Sequence, residues 1–300
     1  MDPHRQAWIY AGATVALWCT VATAFELALR DLTPGQLLAG ANLVAVATLL
    51  VICTVRGELR EALRVGRSGH LRAVGLGLLN PFAYYLVLFA AYDRLPGQVA
   101  QPLNYTWAIT LALLAVPVLG QRLVRGELLA MLVAWAGVLV IATDGDPLSF
   151  ATDDGLGVAL ALGSTLIWSV YWLAAARDPR RPVGALLLNF SYALPLTCLV
   201  GALDGVPTGG AVTVGAVIWV GLAEMAVSFV FWLLAMQRAR STAAISSLIF
   251  ASPFLSLVLL ATIAGEPIRS ATPAGLVLIV AGMLAQQRLR GAAEARMPTP

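Results

Sequence analysis

Two apolar segments of the sequence carry polar and aromatic side chains at the spacing of one helix face. In the segment at 156–176 this set is Ser164, Trp168, Tyr171 and Trp172. In the segment at 212–235 the set with the same spacing is Glu224, Ser228, Phe231 and Trp232. Residues at this spacing share a face of an α-helix. Two interpretations remain open: a cavity wall that offers flat rings and hydrogen-bonding groups to an organic solute, or helix packing combined with the aromatic belt of a membrane protein.

Polar residues are also concentrated in two earlier apolar segments. In the segment at 71–92, Asn80 and Tyr84 stand about one helical turn apart, and Pro81 lacks a backbone N–H and favours a bend. The segment at 97–119 opens with the densest polar run, which is Gln98, Gln101, Pro102, Asn104, Tyr105 and Trp107. Because amides are costly against lipid, this run is expected to face protein or water. The predicted binding residues of these two segments are Asn80, Tyr84, Gln101, Tyr105 and Trp107.

Glu224 is the one carboxylate placed deep within an apolar segment. Burial disfavours the charged form of a carboxyl group. Three roles remain open for it: a proton acceptor, a partner for a substrate ammonium, or a neutral acid hydrogen-bonded between helices. Glu26 lies nearer the end of its own segment, which favours an interfacial position or a pairing with Arg30.

The composition identifies lipid as the solvent of these segments. Hydrophobic residues make up 59% of the 300 residues and charged residues 12%, and the mean hydropathy is +0.83. A soluble domain of this length could not bury so much apolar surface. Ten segments have about the 20-residue length that crosses a bilayer. We number them one to ten in chain order: 7–29, 35–55, 71–92, 97–119, 124–143, 156–176, 183–203, 212–235, 241–263 and 270–289.

The positions of the arginines predict the orientation in the membrane. All 19 basic residues are arginine, and 16 of them fall on one side if the segments alternate in direction. The three on the other side are Arg30, Arg94 and Arg269. Because loops rich in basic residues stay in the cytoplasm, both termini are expected to be cytoplasmic, in a bacterial cytoplasmic (inner) membrane.

Several functional classes are disfavoured by what the sequence lacks. It contains no P-loop or glycine-rich nucleotide motif, and His4 and His70 lie near the membrane surfaces. We therefore expect no catalytic residues, no metal site and no cofactor. A nucleic-acid partner is not expected because there is no basic soluble domain. Cys19, Cys53 and Cys198 have no paired spacing, and we interpret them as small buried apolar residues.

Two stretches of the chain match each other in order at nearly constant offset. Gly77 to Arg94 corresponds to the stretch of equal length that begins at Gly221, and Trp18 corresponds to Trp168. The offset of 144 positions between Gly77 and Gly221 pairs Asn80 with Glu224 and Tyr84 with Ser228. Because each copy holds five segments, the second must enter the membrane from the opposite side. The predicted fold is an all-α membrane protein of ten transmembrane helices in two inverted five-helix repeats, at 1–146 and 147–300.

The order of these features resembles that of the EamA-type drug/metabolite transporter superfamily. The features are a Trp in the first helix of each half (Trp18, Trp168), a turn before the fifth helix (Gly120-Gln121, Gly265-Glu266) and a following Gly (Gly137, Gly282). Within the superfamily the sequence is most similar to bacterial exporters of aromatic amino acids. The resemblance implies a central cavity lined by both halves and efflux of amino acids or related metabolites. Gln121 departs from the Glu that is common in the family at this turn.

These inferences predict a secondary transporter that exports amino acids, notably aromatic ones and also Thr, or related metabolites, by alternating access. Its partners are then the small-molecule solute and the lipid bilayer, and a monomer is expected. Bends or hinges are predicted at Pro81, Pro102 and Pro253, with Pro195 as a further candidate. A broad exporter of drugs or metabolites remains an alternative, and so does a membrane binder or channel that does not transport.

Overall fold

The computed structural model describes residues 2–120, 125–146, 154–239, 259–265, 268 and 270–294, and also 245, 246, 248, 249, 252 and 256. Helices account for the regular structure of these residues, and no strand occurs among them. The helices of the first half are α1 (Pro3–Trp18), α2 (Val21–Leu29), α3 (Pro34–Val55), α4 (Leu59–Leu63), α5 (Arg67–Gly77), α6 (Tyr84–Arg94), α7 (Gly97–Tyr105), α8 (Trp107–Leu119) and α9 (Arg125–Ala142). Those of the second half are α10 (Gly155–Ala176), α11 (Pro182–Leu203), α12 (Ala211–Trp219), α13 (Ser228–Arg238) and α14 (Thr272–Glu294). Three π-helical turns add Leu78–Ala83, Val220–Val227 and Leu260–Ala264.

Seven helical stretches among the described residues are long and apolar enough to cross a membrane. They are Arg5–Leu29, Pro34–Val55, Arg67–Arg94, Val99–Leu119, Gly155–Ala176, Pro182–Leu203 and Ala211–Arg238. These stretches correspond to segments one to four and six to eight. Helices α9 and α14 coincide with segments five and ten, whereas most of segment nine lies outside the described residues. The all-helical prediction is therefore confirmed for the described residues, and the number ten stays a prediction.

Local sequence explains where several helices begin. Thr33 caps α3 by accepting a hydrogen bond from the Gln36 N–H, and the Gln36 side chain accepts from the Thr33 N–H in return. Pro34 and Pro182 stand in the first turn of α3 and α11, where a missing N–H costs nothing. The connection between α3 and α5 contains the short helix α4.

Four helix pairs make the most extensive contacts among the described residues. Helix α3 packs along α11, α9 along α14, α1 along α13, and α10 along α6. Gly77 lies against the Asn189 carbonyl, and Gly221 lies against the Ala41 carbonyl, so closely that a Cβ at either glycine would overlap the oxygen.

Of the three cysteines, Cys19 and Cys53 are buried and free, as predicted, but Cys198 is exposed and free. The prediction was wrong there because Cys198 lies on the outward side of α11.

In the described part of the chain, four segments are interrupted near their middles. Segment one breaks between α1 and α2, and segment four breaks at Thr106 between α7 and α8. Segment three is broken at Asn80, whose backbone is extended (φ −151°, ψ 120°), and segment eight is widened by its π-helical turn. Irregular backbone is tolerated at membrane depth only where protein or a cavity surrounds it, and π-helical turns are frequent at functional sites.

Candidate functional site

Five tryptophans from four segments meet where these interruptions converge. We name Trp18, Trp107, Trp168, Trp172 and Trp232 the tryptophan cluster. Their contacting ring centroids lie between 5.4 and 6.4 Å apart, and none of the five is more than 3% exposed. Trp18 ends α1 and Trp107 begins α8, so the helix breaks place both rings in the cluster. Most of these contacts are edge-to-face, which is a favourable geometry for aromatic pairs.

Other aromatic rings extend the cluster. The Tyr84 ring lies 4.4 Å from that of Trp168, which is the shortest centroid distance among the described aromatic pairs. Phe229 contacts both Trp168 and Trp172, at 5.4 and 5.0 Å. Tyr85 stacks on Phe229 at 6.3 Å. The cluster is therefore a continuous aromatic core shared by the first and second halves of the chain.

A small cavity of about 20 Å³ lies on one side of the cluster. Its apolar wall is formed by Trp18, Trp107, Trp168, Val21, Phe25 and Leu88, and its polar wall by Tyr84, Tyr92, Asn104, Tyr105 and Glu224. This volume has room for about one water molecule. Sites for drug-sized ligands usually have about 300–1,000 Å³. An organic solute can enter only if the rings separate, so this conformation is closed around the cavity.

Glu224 is the carboxylate among the residues that line this cavity. It is 4% exposed, and the Tyr85 hydroxyl donates a hydrogen bond to its Oε1 over 2.9 Å. Its Oε2 has no hydrogen-bond partner among the described residues, and no salt bridge in that part of the chain involves Glu224. A buried polar atom without a partner is costly, so Oε2 is suited to a group that enters the cavity.

Side chains from segments four and nine donate hydrogen bonds to the backbone carbonyls at the break in segment one. The Ser256 hydroxyl donates to the Cys19 carbonyl over 2.7 Å, and the Tyr105 hydroxyl donates to the Trp18 carbonyl over 3.4 Å. The Gln101 amide nitrogen joins the two by donating to Ser256 Oγ and Tyr105 Oη. These bonds satisfy carbonyls that the interrupted helix leaves free. The sequence offered no Pro or Gly at this break, and it was not predicted.

The twelve predicted binding residues fall into three groups. The first group lines the cavity and contains Tyr84, Tyr105, Trp107, Trp168 and Glu224. The second touches the cluster or a lining residue and contains Gln101, Ser164, Tyr171, Trp172, Ser228 and Trp232. Asn80 forms the third: it is buried at the break in segment three, does not line the cavity, and has no partner for its amide among the described residues. The structure therefore brings eleven of the twelve together.

The predicted hinge prolines have different outcomes. Pro81 stands directly after the extended Asn80, at the break where a bend was predicted. Pro102 lies within α7, four residues before the Thr106 break. Pro253 lies outside the described residues.

One residue of the predicted faces was misplaced, and several were missed. Phe231 stacks on Tyr10 at 5.8 Å, because it lies on the side of α13 that packs along α1. Phe229 was missed although it precedes Trp232 by three residues, a spacing that places both on one side of a helix. Tyr85 was missed because the offset between the two halves pairs it with the apolar Phe229, whereas it pairs the neighbouring Tyr84 with Ser228. Phe229 and Tyr85 do not line the cavity themselves. The lining residues outside the predicted binding set are Trp18, Val21, Phe25, Leu88, Tyr92 and Asn104.

The chain is similar to characterised and uncharacterised transporters. It is 27% identical over 232 residues to a protein of Ancylobacter novellus named aromatic amino acid exporter YddG, which covers 72% of this chain and 78% of that protein. It is 22% identical over 295 residues to an uncharacterized transporter of Archaeoglobus fulgidus, covering 94% of this chain and 99% of the other. A crystal structure with 24% identity superposes with a TM-score of 0.76, over 97% of this chain and 99% of that one.

A family model matches nearly the whole chain. The model of the EamA-like transporter family matches twice, over residues 6–143 and over residues 155–285. Together with the seven apolar helices, these matches identify a multi-pass membrane protein of a transporter family. The resemblance in the order of the sequence features is confirmed: the chain belongs to the EamA-like transporter family.

Proposed function

We propose that the protein is a secondary transporter that exports amino acids, notably aromatic ones and also Thr, across the bacterial cytoplasmic membrane. The observation that carries this proposal is the closed aromatic cavity, in which rings from both halves of the chain meet one buried carboxylate. Ring faces can stack on a phenyl or indole group, at about 0.5–1.5 kcal/mol for each good aromatic pair. The name of the Ancylobacter novellus relative, which is an exporter of aromatic amino acids, supports the substrate class.

The mechanism that we propose is alternating access between two inverted five-helix repeats, at 1–146 and 147–300. The double match of the family model supports the duplication. Contacts between equivalent residues support the inversion: Trp18 touches Trp168, and Tyr85 touches Phe229, its equivalent 144 positions later. A residue that touches its own equivalent lies near a two-fold axis. The packing of Gly77 on segment seven and of Gly221 on segment two follows the same relation.

Opening of the cavity requires the halves to rock apart on one side at a time. The interruptions at Cys19 and Thr20, Asn80, Thr106 and Val220–Val227 surround the cavity, and we propose that they serve as hinges together with Pro81, Pro102 and Pro253. The distribution of arginines supports an orientation with both termini in the cytoplasm. We propose that the protein acts as a monomer, because the cavity is built within one chain.

Proteoliposomes test this function directly. Liposomes loaded with unlabelled phenylalanine should accumulate labelled Phe, Trp and Thr by exchange, and empty liposomes with a pH gradient should reveal any coupling. Failure of every amino acid to exchange or to compete would contradict the proposal.

The apolar character of the tryptophan cluster also suits hydrophobic drugs, so a panel of toxic dyes should be included in the same assay. Saturable exchange of dyes without amino acids would support the broader exporter instead, and conductance without saturation would support a channel.

A further inference from the structure

Glu224 presents one free carboxylate oxygen to the cavity. Its Oε1 accepts the Tyr85 hydrogen bond over 2.9 Å, whereas its Oε2 has no partner among the described residues. Glu224 is 4% exposed, and it is the carboxylate among the lining residues. The cavity is therefore lined by a carboxylate that has one oxygen without a partner among the described residues, together with several aromatic residues.

The titratable groups around Glu224 include no cation in the described part of the chain. From segment three it faces Tyr84, Tyr85 and Tyr92, and from segment four it faces Tyr105. In segment one, Cys19 lies near Tyr105 and Glu26 lies near Tyr92, and in segment six Tyr171 lies near Tyr85. The helix of segment two, which packs on this turn, carries Cys53 as its titratable residue. An ionised carboxylate without a paired cation is strongly disfavoured in a dry interior. The closed cavity thus favours the protonated acid, and an ionised Glu224 requires a cation to enter.

We infer that Glu224 binds the ammonium group of the exported amino acid and exchanges it for a proton. This inference rests on the proposed function and specifies how the same site recognises its substrate. When the amino acid enters, the carboxylic acid releases its proton to the aqueous side that is open, and the resulting carboxylate pairs with the –NH₃⁺ group. When the amino acid leaves, the carboxylate takes a proton from the other side. Protons balance over the cycle, because one proton leaves the acid for each amino acid that binds and one proton returns when the amino acid leaves. Since the zwitterionic amino acid carries no net charge, each cycle moves one positive charge across the membrane, in the direction opposite to the amino acid.

The surrounding rings strengthen this assignment. Trp18, Trp168 and Tyr84 line the same cavity as Glu224, and ammonium groups are attracted to aromatic rings. A substrate ammonium would therefore meet a carboxylate and aromatic rings together, while its own side chain enters the space between the tryptophans. The site should then bind amines and reject the corresponding acids that lack an amino group.

Binding measurements on the purified full-length protein in detergent test the inference. The probes are phenylalanine, 2-phenylethylamine and 3-phenylpropionate. The wild type should bind the first two, bind 3-phenylpropionate at least about tenfold more weakly, and release about one proton per phenylalanine bound, as followed with a pH indicator. The proton competes with the ammonium group for the Glu224 carboxylate. The apparent affinity for phenylalanine should therefore fall as the pH is lowered, by up to about tenfold per pH unit in the acidic range.

The isosteric variant Glu224→Gln should lose the pH dependence and the proton release, and should bind phenylalanine at least about tenfold more weakly. Glu26→Gln is the matched control, because it also removes a carboxylate from a membrane segment but does not line the cavity; it should behave like the wild type. Equal phenylalanine binding by Glu224→Gln, or wild-type binding without proton release, would overturn the inference and leave the proposed function intact. Failure of the wild type to bind any amino acid would instead overturn the proposed function. If Glu224→Gln does not fold, the release of protons on phenylalanine binding by the wild type still tests the inference.

Discussion

The Trp18 indole Nε1 donates a hydrogen bond to Ser228 Oγ over 3.1 Å, across 210 positions of sequence. The equivalent pair at the other side of the cluster is Trp168 and Tyr84, whose ring centroids lie 4.4 Å apart. In each pair, the first segment of one half touches the third segment of the other half. This crosswise contact is what two inverted repeats would produce, and it makes the cluster sensitive to any movement between the halves.

The first prediction concerns the Trp18 hydrogen bond. Ser228→Ala would leave the buried Trp18 N–H without its acceptor, which should lower the free energy of unfolding by about 1–3 kcal/mol. Thermal unfolding of the purified variant in detergent would measure the loss. Ser68→Ala removes an exposed hydroxyl from α5 and should change the stability by less than about 0.5 kcal/mol. Equal stability of the two variants would show that the hydrogen bond contributes nothing.

A second prediction concerns the two close helix contacts at Gly77 and Gly221. A Cβ at either position would overlap a carbonyl oxygen of the neighbouring helix, so each Gly→Ala variant should be destabilised by about 1–3 kcal/mol. Gly75 and Gly215 have nothing within 4 Å of an added Cβ, and alanine there should be neutral or stabilising by up to about 1 kcal/mol. The same thermal assay would compare all four variants. Tolerance of alanine at Gly77 and Gly221 would contradict the described packing.

A third prediction concerns the buried ion pair of Asp178 and Arg180, in which Arg180 also contacts Gly69 before segment three and Asn189 in segment seven. Asp178 accepts from the Arg180 Nε over 3.0 Å, and the two side chains are 3% and 8% exposed. Asp178→Asn would leave the Arg180 charge buried without its counter-ion and should cost about 3–5 kcal/mol. The exposed pair of Glu61 and Arg181 provides the control, since Glu61→Gln should cost less than about 1 kcal/mol. Similar losses in both variants would mean that the burial of Asp178 has no effect.

A fourth prediction is the acid sensitivity of the N-cap of α10. The Gly157 N–H donates to Asp154 over 2.8 Å, and this bond, with a smaller contribution from Arg94, holds the pKa of Asp154 below its usual value. The stabilisation is therefore present above the pKa that Asp154 has in the unfolded chain, and it is lost as the pH falls through the lower folded value. Melting temperatures of wild type and Asp154→Asn should differ at neutral pH and converge in acid. A constant difference between them would contradict this role.

The chemistry of the site was predictable from the sequence because its residues recur at helical spacing. Trp168 and Trp172 share a face of an uninterrupted helix, and the predicted neighbours are in contact. The break in segment one was not predictable, because it depends on Ser256 and Tyr105, which bind the Trp18 and Cys19 carbonyls from distant parts of the chain. Asn80 was predicted by its equivalence to Glu224, but only Glu224 lines the cavity. Equivalent positions in the two halves thus share their place in the fold without sharing their contacts.

The most direct test of the proposed transport site is exchange of labelled phenylalanine in proteoliposomes that contain wild type or Trp168→Ala. Trp168 contacts three other members of the cluster and lines the cavity. Exposed Trp135→Ala, in α9, is the matched control for loss of an indole. We expect saturable exchange by the wild type and by Trp135→Ala, and at least a tenfold loss in a correctly inserted Trp168→Ala protein. Unchanged exchange by Trp168→Ala would contradict the assignment of the tryptophan cluster as the transport site.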